Sequence, residues 1–174
     1  MFELDAAYPL LGEVKNTPYG RIRVYYAGTR PELVSRTPVS YYLLGGQQSL
    51  ITGEQVANSR EVWATDLFPA ASGRHSNDPN ELLAELEPYT IYALKVELKS
   101  VDVSAKAQPV VTVSDRATQQ ELGRIVLNKE KSNPAVNVFK TSGNGLIDIR
   151  VQQSKSEGPG GESALRRIVI SEIR

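Results

Sequence analysis

The chain reads as an all-β protein: an antiparallel two-sheet β-sandwich of the jelly-roll type with one short helix near residues 79–87. Three observations lead there. Apolar and polar residues alternate with a period of two through the second half of the 174 residues, the pattern of strands with one face in a core. Polar or Gly/Pro-containing links separate these runs, and no long helical stretch intervenes, so neighbouring runs pair antiparallel. The nine runs suit two packed sheets better than a barrel of uniform hairpins.

In chain order, Arg21 to Ala27 comes first, with Ile22, Val24 and Tyr26 expected inward and Arg21, Arg23 and Tyr25 outward. Ser40 to Leu44 and Glu61 to Leu67 follow as strands. Asp78-Pro79-Asn80-Glu81 then signals a helix: a capping carboxylate, a proline at the first helical position and an acid three residues after the cap. Leu82, Leu83 and Leu86 would form its apolar face, and Pro88 would end it.

The clearest strand is Tyr92 to Lys99, with Tyr92, Leu94, Val96 and Leu98 on one face and Lys95, Glu97 and Lys99 on the other. The apolar positions then slip to Val101 and Val103, which suggests a bulge where a long strand turns a sandwich corner. Pro109 to Val113, Glu121 to Leu127, Ala135 to Phe139, Leu146 to Gln152 and Leu165 to Ile173 complete the set. In Leu146 to Gln152, Ile147, Ile149 and Val151 face inward, and Asp148, Arg150 and Gln152 outward. The links are Ser114 to Gln120, Asn128 to Pro134, Thr141 to Gly145 and Ser154 to Ser163, all rich in turn-forming residues.

This length suits a single sandwich domain over residues 1–174. The alternative organisation sets residues 1–71 apart as an amino-terminal arm or subdomain, with Pro69 to Asn80 as the internal boundary.

Composition removes several function classes. Without cysteine there is no disulfide scaffold, cysteine zinc site or thiol nucleophile. With His75 as the one histidine, a multi-imidazole metal site cannot form in one chain. Ser72, His75 and Asp78 share one short loop, whereas a catalytic triad draws its members from separate rigid elements. Neither a nucleophile elbow nor a phosphate-cradling glycine loop is present. An enzyme is therefore not expected.

Twenty basic residues balance twenty acidic ones, and Arg166-Arg167 sits among core-like aliphatics, so no nucleic-acid partner is expected. The charge is uneven along the chain: 7 basic against 11 acidic residues through Glu87, and 13 against 9 from Pro88 onward. Such a dipolar chain could favour head-to-tail self-association. The acidic start Met1-Phe2-Glu3-Leu4-Asp5 is unlike a secretory signal, and no apolar run approaches the ~20 residues of a membrane span. The expectation is a chain made in a cytoplasm, without membrane insertion.

Binding candidates come from the aromatics. Six of eight tyrosines lie in the first 42 residues, and tyrosine and tryptophan serve as interface anchors and sugar platforms. Tyr25 with Arg23 is the preferred exposed pair; Tyr41, Tyr42 and Trp63 complete the candidate binding or interface set. Asp102, Asp115, Asp148 and Glu172, on or beside strands, could supply oxygen ligands to a structural calcium. No other cofactor is expected.

Tyr92-Ala93-Leu94-Lys95-Val96, Val110-Val111-Thr112-Val113-Ser114-Asp115, Leu122-Gly123-Arg124-Ile125-Val126-Leu127, Gly145-Leu146-Ile147-Asp148-Ile149-Arg150-Val151 and Leu165-Arg166-Arg167-Ile168-Val169-Ile170 follow in an order that resembles galactose-binding-like domains and carbohydrate-binding modules. The resemblance spans Tyr89 to Arg174 and implies a jelly-roll sandwich. The whole chain also looks like small virion proteins of tailed bacteriophages, in its lack of cysteine and signal, its strand-rich build and its aromatic amino-terminal portion. That likeness implies a non-enzymatic structural or assembly component in capsid decoration, tail or adsorption apparatus. Its partners would be itself and other virion proteins, and it would reside in a virion assembled in the host cytoplasm. The alternative is a carbohydrate-binding module or adhesin with a glycan partner, or a soluble cytoplasmic protein.

Overall fold

A computed structural model describes residues 10–17, 20–25, 39–44, 49–66, 81–98, 109–127, 134–152 and 165–174. The chain divides into two compact units, Met1–Asn58 and Ser59–Arg174.

The first unit contains β1 (Leu10–Thr17), β2 (Gly20–Tyr25), β3 (Val39–Leu43), β4 (Leu50–Thr52) and α1 (Gly53–Ala57). Its sheet runs in the order β2-β1-β3-β4. β1 and β3 are parallel, and the other two pairs are antiparallel. The helix opens on a capping box: the Thr52 hydroxyl accepts from Gln55 N, and the Gln55 side chain accepts from Thr52 N. Two otherwise orphaned backbone donors are thereby satisfied. Gly53 stands against Ser40, where a Cβ would come within 3.2 Å, as the next position of the β3–β4 register.

The second unit is the expected sandwich. Its strands are β5 (Arg60–Asp66), β6 (Glu81–Glu85), β7 (Ile91–Leu98), β8 (Val110–Asp115), β9 (Glu121–Val126), β10 (Ala135–Lys140), β11 (Leu146–Gln152) and β12 (Leu165–Glu172). They form two four-stranded sheets, β10-β7-β12-β5 and β6-β11-β8-β9. The pairing is nested: β5 lies beside β12, β6 beside β11, β7 beside β10 and β8 beside β9, all antiparallel. The roll is closed by antiparallel pairs β7–β12 and β8–β11. First with last, second with second-last, is the connectivity of a jelly roll.

Alternation fills the space between the sheets as the sequence predicts. Tyr92, Leu94, Val96 and Leu98 meet Ile147, Ile149, Val151, Val111 and Val113 in one apolar cluster. The Tyr92 and Phe139 rings stack with centroids 5.8 Å apart. The Tyr92 hydroxyl reaches the sandwich end and accepts from Glu87 N at 3.0 Å. Burial is the main cause raising its phenol above the ordinary value.

The helix expected near 79–87 is not there. Glu81–Glu85 is strand β6, paired with β11 from Arg150↔Glu81 to Leu146↔Glu85. The segment Glu81-Leu82-Leu83-Ala84-Glu85-Leu86 satisfies both periodicities, and burying Leu82, Ala84 and Leu86 against the core selects the strand. The helix in the described residues is α1 instead. Asp78, Pro79 and Asn80 lie outside the described residues, as do His75, the Pro69 to Asn80 boundary loop and the slip at Val101 and Val103.

Candidate functional site

Residues opposite one another in a sheet share a face. On one face of the amino-terminal sheet this gathers Val14, Ile22, Val24, Tyr41, Leu43 and Leu50. Ile22, Val24 and Leu50 are 45%, 48% and 48% exposed; Val14, Tyr41 and Leu43 are half-buried. The opposite face carries Tyr42 and Ile51, which are buried. There Glu13 is ringed by Arg21 at 3.1 Å, Arg23 at 3.7 Å and Lys15 at 3.7 Å. Lys15 Nζ also sits 5.3 Å from the Tyr42 ring centroid, a cation–π contact.

Ile22 and Val24, expected to point into a core, are thus on the open face. Alternation sorts residues between two faces, but only tertiary packing decides which face is covered, and here the buried face is the other one, with Tyr42 and Ile51. Arg23 is exposed and Tyr25 half-buried. Of the aromatic candidates, Tyr41 joins the apolar face, Tyr42 belongs to the covered one, and Trp63 on β5 is half-buried against the sandwich core of the second unit. Within the first unit, Tyr41 and Tyr42 therefore stand on opposite faces of the sheet.

A second constellation lies at one end of the sandwich, where the β6–β7, β8–β9 and β10–β11 connections are bonded to each other. Thr141 Oγ1 donates to Glu87 O at 2.7 Å and accepts from Thr90 N at 3.0 Å. Leu86 N donates to Gly145 O, Tyr89 N to Ser142 O and Arg116 N to Leu146 O. Asp115, 1% exposed, accepts from Thr118 N and Oγ1 through one oxygen and from the Ser142 hydroxyl through the other. The Ser142 hydrogen bond, followed by the Thr118 N–H, holds its carboxyl below the ordinary 3.8, against the opposing effect of burial.

A depressed folded-state pKa contributes stability that is present above the unfolded value and is lost as pH falls through the folded one. Unfolding of the second unit is therefore expected to become easier as pH drops below about 4. Asp115→Asn should flatten that dependence in denaturant titrations between pH 2 and 6, and an unchanged slope would remove Asp115 as its source.

Asp148 alternates to the outer side of its sheet but is only 4% exposed, because the β8–β9 turn lies over it. Gln119 Nε2 donates to its Oδ2 at 3.3 Å, and Arg116 approaches its otherwise unbonded Oδ1 at 3.6 Å. Arg150 extends the network by donating to Gln119 Oε1 and Glu81 Oε1. Glu172 is engaged by Arg60 at 2.8 Å and Arg174 at 3.4 Å, and the Arg60 contact is the first cause lowering its pKa. Asp102 lies outside the described residues. Among the described residues no group of three or more His, Cys, Asp or Glu is placed to hold a metal ion.

Tyr89, which sequence reasoning passed over, belongs to the same loop end. It is 71% exposed and has φ +53°. The aromatic is visible in the sequence, but its left-handed backbone and its exposure are not.

No protein-family model matches the chain, and no similar curated protein is found. Among the described residues no helix is long and apolar enough to cross a membrane.

Proposed function

We propose that the protein is a non-enzymatic structural or assembly component, most simply a bacteriophage virion protein of the capsid-decorating, tail or adsorption class, joined to its assembly through the amino-terminal sheet. The observation that carries this reading is the open apolar face of Ile22, Val24 and Leu50 with Tyr41 and Val14 beside them. A contiguous exposed apolar sheet face is an interaction surface in the making, since covering it gains roughly 25 cal/mol per Å² removed from water. The partner is another copy of the chain or another virion protein, and the particle is built in a host cytoplasm.

Sedimentation velocity of the full chain across a wide concentration range, alone and with purified particles, tests this. Association is expected. Ile22→Lys with Val24→Lys should weaken it by about 3 kcal/mol, near a hundredfold in Kd. A wild-type chain that stays monomeric and binds no particle would overturn the reading.

A further inference from the structure

We propose that Asn144–Gly145 is a self-modifying step of the chain, at which the Gly145 nitrogen attacks the Asn144 side-chain amide and the surrounding turn accelerates the attack. Asn144 is the one asparagine followed by glycine, and asparagine is a thermolabile residue. The next backbone nitrogen must reach Cγ, and a side chain on that next residue obstructs the approach; glycine has none. The fold itself keeps the glycine in place. Gly145 has φ +66°, and a Cβ there would collide with the Leu86 carbonyl.

Attack at Cγ drives negative charge onto Oδ1, and donors already aimed at that atom lower the barrier. Asn144 has two: Leu146 N and the Ser142 hydroxyl each donate to Oδ1 at 3.1 Å. The hydroxyl has a single proton and a second acceptor in Asp115. As charge builds on Oδ1, that proton swings towards it. Gly145 N is weakly committed elsewhere, since its hydrogen bond to Ser142 O is long at 3.4 Å. Asn144 is exposed, so ammonia can leave and water can enter.

In the first stage the bond from Gly145 N to Asn144 Cγ forms and the bond from Cγ to the amide nitrogen breaks; the proton lost by Gly145 N departs with that nitrogen as ammonia. Water then opens the cyclic imide. Opening at Cγ gives aspartate, and opening at the main-chain carbonyl gives isoaspartate. Isoaspartate inserts Cβ into the main chain directly before Gly145, whose carbonyl accepts from Leu86 N at 2.9 Å. Either product places a carboxylate beside the Ser142 hydroxyl that serves the buried Asp115, where a second negative charge is unfavourable. The step thus times a loosening of the β6–β7 and β10–β11 connections.

The test is incubation of the full chain at mildly alkaline pH, native and in urea, with conversion of Asn144 followed by peptide mass mapping and by methyl transfer from a protein isoaspartyl methyltransferase. Asn144 is expected to convert ahead of every other asparagine, and faster in the native chain than in urea by about threefold or more. Ser142→Ala should remove that native advantage without changing the rate in urea, and Ser142→Thr, which keeps the hydroxyl, should retain it. Circular dichroism checks that each variant is folded, and the wild-type ratio of native to urea rates decides the outcome if Ser142→Ala does not fold. The converted chain should melt several degrees below the fresh one, whereas Asn144→Ser, which cannot cyclise, should keep its melting temperature through the same incubation. A native advantage below that threshold, or a native rate that Ser142→Ala leaves unchanged in a folded chain, overturns the inference and leaves the assembly reading untouched.

Discussion

Gly145→Ala is expected to destabilise the sandwich by about 3 kcal/mol, a fall of roughly 10 °C in its melting temperature. Two effects combine. The residue has φ +66°, and a Cβ there would stand 1.9 Å from the Leu86 carbonyl oxygen and 3.0 Å from its carbon. The obstacle is backbone, so the β6–β7 and β10–β11 connections must separate. Separation breaks the Leu86 N to Gly145 O bond of 2.9 Å and strains the Thr141 clamp next to it. Gly143→Ala, two residues away, is the control. Its Cβ would meet the end of the exposed Tyr89 side chain, which can swing aside, so a loss below about 1 kcal/mol is expected. Thermal unfolding by circular dichroism checks both. Equal melting temperatures for the two variants would contradict the described packing of the turn.

Phe139→Ala should cost about 4 kcal/mol. Phe139 is fully buried between the sheets and stacked on Tyr92, so truncation leaves a cavity lined by side chains from both layers. Tyr92 cannot collapse into it without surrendering the hydrogen bond from Glu87 N. Phe139→Leu retains most of the volume and should cost nearer 1.5 kcal/mol. Trp63 is the one tryptophan of the chain and packs against this core, so its fluorescence during urea unfolding reports the second unit directly. The expected signature is a lowered midpoint with an unchanged m value. A midpoint shift below a quarter of the prediction would mean that Phe139 is not central to the core.

The sandwich was legible because its rhythm is redundant: Tyr92, Leu94, Val96 and Leu98 on one sheet and Ile147, Ile149 and Val151 on the other each announce an inward face. Legibility failed where two patterns overlapped or where signals were short. Glu81 to Leu86 carried a strong helix start and an equally good strand alternation, and only the β11 partner resolves them. β4 has three residues and α1 five, too few for either period, although Thr52 and Gln55 spell a capping box in retrospect. β1, interrupted by Gly12 and charged at Glu13 and Lys15, lacks the alternation that marks its partners.

The same limits apply to function. Alternation correctly separated Ile22 and Val24 from Arg23, yet it could not say which side would be left uncovered. Asp148 read as an ordinary solvent-facing acid, because the turn that lies over it comes from residues some thirty positions earlier. Tyr89 read as the aromatic after a terminating proline, and nothing in its neighbours declares a left-handed backbone.

The nested pairing also dictates an order of events during synthesis. β12 occupies the middle of its sheet, between β7 and β5, and its contact with β5 joins residues 112 positions apart. Until β12 leaves the ribosome, both neighbours carry open edges, and the nascent chain must tolerate them without a completed interior. Maturation of this unit should therefore wait for β12, and be slow and sensitive to chaperone supply.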